Sequence, residues 1–185
     1  MDAATQPECL EIGAMLKANI EKAFNEQINA ETYSAYLYMS MAAWFEGQQL
    51  NGFAHWMKVQ AQEEMTHALR FYSFIYERGG KVTLKAIKAP ETSWASPLAA
   101  FEAVLEHERL VTSLINKLVS LARKEEDYAA ENFLQWFVKE QVEEEASAEE
   151  AIGKIKLVDQ TPGGMFMLDK DLAARVFTMP IDVTI

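Results

Sequence analysis

Four carboxylates and one imidazole stand where a helical chain would be expected to carry apolar side chains. Glu31 lies seven residues from both Phe24 and Tyr38, so the three share one helix face. Glu64 and His67 continue a stripe that runs through Phe53, Met57 and Gln60 to Phe71 and Phe74. Glu108 follows Phe101 and Leu105 and precedes Val111, Thr112 and Ile115, while Glu144 follows Phe133, Phe137, Glu140 and Gln141 and leads into Ser147, Ala148 and Ala151. A carboxylate is almost never fully buried unless it is paired or bound to metal, because an uncompensated buried charge costs several kcal/mol. No Lys or Arg stands at a matching position, so the compensation must come from outside the chain. Two divalent cations would balance the charges of Glu31, Glu64, Glu108 and Glu144. Carboxylate oxygens with a single imidazole suit iron or manganese, whereas a structural zinc site usually contains thiolate. Glu64-Met65-Thr66-His67 is a Glu-x-x-His step, which sets carboxylate and imidazole on one face at i and i+3. His55 and His107 fall off these lines and read as ordinary helix residues.

The elements that must position these side chains are legible in the same periodicity. A first helix is predicted over about 13–46, with Leu16, Ile20, Phe24, Ile28, Ala35 and Tyr38 at helical spacing. A second covers about 51–78 and ends at Gly79-Gly80. Ser96 as N-cap with Pro97 in the first turn opens a third, which continues to about residue 124. The fourth runs over about 127–158 and stops at Thr161-Pro162-Gly163-Gly164. Residues 81–96 form a long connection, and the alternation of Val82, Leu84 and Ala86 predicts an extended strap lying over apolar surface. The chain reads as one all-α domain over 1–185: a four-helix bundle with one long crossover. Residues 1–12 form an N-terminal extension. Residues 165–185 hold a short fifth helix, placed at about 169–176, and a tail.

Composition narrows the class of function. Half of the 185 residues are hydrophobic, with only 8 Gly and 5 Pro, which favours a packed domain of long helices. The net charge of −11 argues against a nucleic-acid partner; taken alone such acidity reads first as a source of solubility, though an acidic surface also concentrates cations. Cys9 is the single cysteine, so neither an intrachain disulfide nor a four-cysteine metal site can form. No apolar run reaches the roughly 20 residues that span a membrane, and the first residues lack the pattern of a signal peptide. A cytoplasmic location is the expectation.

The stretches NAETYSAYLY (29–38), AQEEMTHA (61–68), LEHERLVT (105–112) and FLQWFVKEQVEEE (133–145) resemble the non-haem ferritins, those of the bacterial type in particular. The likeness extends through about residues 14–175. It implies that Glu31, Glu64 and His67 hold a first iron, with Glu64 bridging to a second iron held by Glu108 and Glu144, with Gln141 nearby. It further implies that Tyr38 stands beside the di-iron centre, and that Glu63, Glu140 and Glu143 bind a third iron together with Glu144. The implied activity is ferroxidation of Fe(II) by O2, with Fe(III) mineral stored inside a homo-oligomeric shell, a 24-mer.

Departures from neighbouring families sharpen that expectation. Bacterioferritins and most di-iron oxygenases repeat Glu-x-x-His on the fourth helix; here the step is Gln141-x-x-Glu144, so the second metal gains no imidazole. The resulting asymmetry favours iron in transit over a permanent cofactor. Met65 falls where bacterioferritins place a haem-ligating methionine, but packing explains it, and no haem is expected. Trp136 is likewise read as core. The competing readings are a di-iron oxidoreductase acting on another substrate and a catalytically inert bundle. The first should stop at two irons per subunit, and the second should lack ligands.

Overall fold

The computed structural model describes residues 15–179; the N-terminal extension with Cys9, the expected helix start at Gly13, and residues 180–185 lie outside the described part. Five helices follow in order: α1 (Ala18–Gly47), α2 (Asn51–Glu77), α3 (Pro97–Lys124), α4 (Tyr128–Val158) and α5 (Gly164–Leu172). Among the described residues there is no strand, and no helix is long and apolar enough to cross a membrane.

The helix ends form where the local chemistry allows. Ser96 caps α3 by accepting from the Ala99 amide at 3.1 Å, and Pro97 needs no partner for its missing N–H. Asp127 caps α4 through the Ala130 amide at 3.0 Å and also holds Arg78, with Nη1–Oδ1 at 3.0 Å. One carboxylate therefore locks the end of α2 to the start of α4. The helix α1 begins later than expected, because Lys17 is still extended (φ −64°, ψ 137°). At the α1–α2 turn the left-handed residue is Gln49 (φ 61°), two positions beyond Gly47, the last residue of α1.

Side-chain contacts give the topology. Glu46 meets Lys58 and Phe24 meets Phe71, so α1 and α2 run antiparallel. Tyr38 meets Glu108 and Phe45 meets Phe101, so α3 is also antiparallel to α1 and hence parallel to α2. Two parallel neighbours in sequence require a crossover the length of the bundle. The strap supplies it by climbing α1. Asn25 donates to Lys81 O at 3.0 Å and accepts from the Thr83 amide at 2.6 Å, Asn29 donates to Ala86 O at 3.2 Å, and Ser40 donates to Glu91 O at 2.5 Å. Its attachment is thus largely polar. Val82 does pack on the core, but Leu84 and Ala86 are exposed, so the strap lies over apolar surface at its start and not along the expected run.

The fifth helix starts five residues before its expected position. Gly163 adopts φ +77°, a left-handed turn that lets the chain reverse at once and begin α5 at Gly164. From there the Asp169 carboxylate reaches the open start of α2, accepting from Gly52 N at 2.7 Å and Phe53 N at 3.1 Å.

The interior divides into two apolar clusters. One gathers Phe45, Phe53, Phe101 and Met57; the other gathers Phe24, Phe71, Phe137 and Ile115. Their rings interlock, with Phe71 and Phe137 centroids 4.4 Å apart and Phe45 and Phe53 5.2 Å apart. Each fully buried Phe stabilises the fold by about 1.5–3 kcal/mol. Between the clusters lies a polar belt.

Candidate metal centre

All four helices send a carboxylate into that belt. Glu31, Glu64, His67, Glu108, Gln141 and Glu144 are each at most 5% exposed, beside a buried Gln60 and Gln27. The stripes explain the convergence: apolar residues a turn above and below each Glu bury their helix face, and the Glu is carried inward with them.

Two ligand-like groupings emerge. Atoms of Glu31, Glu64 and His67 lie within 4.8 Å of one another, and so do atoms of His67, Glu140 and Glu144. His67 Nδ1 stands 3.6 Å from Glu64 Oε2. Amides brace the cluster from outside: Gln27 donates to Glu31 at 2.9 Å, Gln60 donates to Glu144, and Gln141 donates to Glu108 Oε2 at 3.2 Å. Tyr38, fully buried, donates its hydroxyl to Glu108 Oε1. Glu31 Oε2 and Glu64 Oε2 are buried without a hydrogen-bond partner. The partners that the four central carboxylates show are amides, the Tyr38 hydroxyl and the His67 imidazole.

Electrostatics follow from that geometry. Burial lifts the Glu31 carboxyl, and it lifts Glu64 and Glu144 well above the ordinary carboxylate range, helped in both by the Glu108 charge. Burial raises Glu108 to about 6, against the stabilising hydrogen bonds of Tyr38 and Gln141. Burial and the Glu108 charge push the Tyr38 phenol well up, so it stays a neutral donor. The cluster therefore prefers protons to bare charge, and a divalent cation is the natural replacement for those protons.

The outer positions differ. Glu63 is partly buried and close enough to His67 and Glu140 to feel their charge, and Glu140 is half-buried. Glu143 is exposed and paired with Lys139 at 3.2 Å. A cation stands at this outer edge: Arg175, from the segment after α5, pairs with Glu63. Nothing in the helix periodicity connects positions 112 residues apart.

Gln27 was not singled out from the sequence, while His107, read there as an ordinary helix residue, stands near the site. Gln27 is one turn from Glu31, an i,i+4 relation that could have marked it as a brace. His107 is partly buried in a wall next to Tyr38, with ring centroids 6.0 Å apart and Nε2 at 2.8 Å from Ser34 Oγ. Burial lowers its pKa to about 4, so it is neutral and structural. His55 contacts the Arg175 carbonyl at 2.8 Å, away from the belt. Trp136 packs edge-on against His67 at 5.4 Å, and Arg70 lies 3.9 Å over its ring.

Comparison with known proteins agrees with this architecture. The model of the ferritin-like domain family matches residues 21–158. A bacterial non-heme ferritin of Bacteroides fragilis is 45% identical over 161 residues, covering 87% of this chain and all of the relative. A probable bacterial non-heme ferritin-like protein of Haemophilus influenzae is 40% identical over 158 residues, covering 85% of this chain and 96% of the relative. An open pore ferritin of the archaeon Archaeoglobus fulgidus is 50% identical in sequence. It superposes with a TM-score of 0.86, covering 88% of this chain and 99% of that one. A bundle with the long crossover, a carboxylate belt at its middle and these relatives lead to one conclusion: the chain belongs to the ferritin family, as a relative of the bacterial non-haem ferritins.

Proposed function

We propose that the polar belt is a ferroxidase centre whose substrate is iron. Glu31, Glu64 and His67 hold the first ferrous ion. Glu108 and Glu144 hold the second, with Glu64 bridging and Gln141 bracing Glu108. Each ion gives one electron to a single O2, which is thereby reduced to the level of peroxide. Holding both reductants a few Å apart makes the two-electron step intramolecular. Ferric ions then hydrolyse, release protons and leave for storage as mineral, which the Glu63, Glu140, Glu143 and Glu144 edge assists as a third iron position. Tyr38 orients Glu108 and stands close enough to the pair to serve as a further electron donor.

The observation that carries this reading is the pair of unpartnered, fully buried oxygens on Glu31 and Glu64 beside His67. A native fold rarely leaves such atoms unsatisfied unless an ion completes them. Replacing Glu31 or His67 by Ala should lower the initial rate of ferrous oxidation by about a hundredfold or more while the circular dichroism stays helical. Stopped-flow absorbance of ferric product checks it; unchanged rates in both variants would remove the assignment.

Storage requires an assembly, since one bundle has no room for mineral. The same reading makes the chain a subunit of a homo-oligomeric shell, a 24-mer, working in the cytoplasm without haem. A groove of about 510 Å³ lined by Tyr36, Met39, Met65 and Ile87, all at least 40% exposed, supports subunit contact.

A further inference from the structure

The third position carries a cation of the chain's own. The Arg175 guanidinium donates through Nη2 to Glu63 Oε2, with both side chains about four-fifths buried, and its Cζ sits 4.3 Å over the Trp56 ring. The Arg175 carbonyl is held by His55 at 2.8 Å, so backbone and side chain are both anchored on α2. Residues 173–175 otherwise rest on open turn bonds of 3.1–3.4 Å to Asp169, Asp171 and Leu172. Beside the guanidinium lies an open cleft of about 280 Å³, lined in part by Glu150, Lys154 and Asp171. Both acids are bonded to Lys154 at 3.0 Å, and they offer a displaced guanidinium a second acidic environment.

We infer that Arg175 is the resident cation of the third position, so that a metal at Glu63 competes with the guanidinium for one carboxylate and loosens the segment after α5. This rests on the reading of Glu63 and Glu140 as a metal position given above. The guanidinium already balances the Glu63 charge and holds Oε2, and it repels a dication brought to the same carboxylate, so part of the free energy of that pair is subtracted from metal affinity at Glu63. At Glu31, Glu64, Glu108 and Glu144 the partners shown are neutral amides, the Tyr38 hydroxyl and the His67 imidazole. The central pair therefore fills first, and the third position fills last and weakly. By linkage, metal at Glu63 must in turn weaken the docking of residues 173–179.

The test uses the assembled protein, ferrous iron without oxygen, and redox-inert Zn²⁺. Calorimetric titration should give two tight ions per subunit in both the native chain and R175Q, with the third bound about tenfold more tightly in R175Q. Hydrogen exchange at residues 173–179 should accelerate when Zn²⁺ fills the native third position, and should already be fast in metal-free R175Q. E63Q should abolish the third ion in either background. If E63Q abolishes it but native and R175Q affinities agree within about twofold, Arg175 is no competitor and the inference is overturned, while the third position stands. If E63Q leaves a third ion unaffected, the third-position reading itself falls, and the inference with it.

Discussion

Glu64 faces Glu31, Glu108 and His67 at once, and one of its oxygens has no hydrogen-bond partner. Its folded pKa lies well above the 4.5 of an unperturbed Glu, chiefly from burial. A carboxyl raised in the folded state binds more protons there than in the unfolded chain. Its contribution to stability is therefore whole below about pH 4.5 and lost as pH rises through the folded value. Glu64→Gln removes the titration while keeping the shape. The metal-free variant should melt at nearly the native temperature at about pH 5 and about 5 °C higher at about pH 8. Differential scanning calorimetry in chelator checks this; parallel pH profiles would mean that Glu64 bears no electrostatic penalty. The same variant should lose rapid iron oxidation, which would separate stability from function at a single side chain.

At the scale of elements, α5 depends on one close approach. A Cβ built on Gly52 would lie 1.6 Å from the Asp169 carbonyl oxygen and 2.5 Å from its carbon, so backbone rather than a flexible side-chain tip blocks it. Gly52→Ala should expel α5 from the start of α2 and cost the Asp169 cap, about 1 kcal/mol in itself. The bundle should persist, because its two aromatic clusters are built mainly from α1–α4. Amide exchange over 164–172 should speed up, while the oxidation rate at the belt stays within about twofold of native. Unchanged protection of α5 would show that the contact is not decisive. The strap follows different physics: its polar ties to Asn25, Asn29 and Ser40 fix its path without burying Leu84. The helices themselves were legible residue by residue, because Ser96, Asp127 and the apolar period act locally. The start of α5 was not, because a left-handed Gly163 lets a helix open at the very next residue.

For the whole molecule, net charge −11 and an apolar groove on the α1–α2 face act in opposite directions on association. Acidity keeps subunits dispersed over long range and attracts ferrous ions, while the groove rewards contact at short range. Sedimentation should report a closed shell near 24 copies, and aerobic loading should exceed three irons per subunit by a wide margin. A monomer or dimer, or uptake that stops at two irons, would favour a di-iron oxidoreductase over a storage protein. Either outcome would leave the fold and family unchanged.

Sequence alone determined the all-α bundle, the long crossover and which side chains turn inward at its middle. The 3.6-residue period assigns a face to every residue of a helix, so Glu31, Glu64, His67, Glu108 and Glu144 could be recognised as misplaced charges before any contact was known. Tertiary structure decided what lies beside them. Docking across many residues brought Arg175 to Glu63, Asp169 to Gly52 and His107 to the Tyr38 wall. No period encodes such meetings; they depend on where the strap, the turn at Gly163 and helix packing deliver the chain. The five residues of the belt were thus written in their own helices, whereas the cation at its edge became visible only once α5 had folded back.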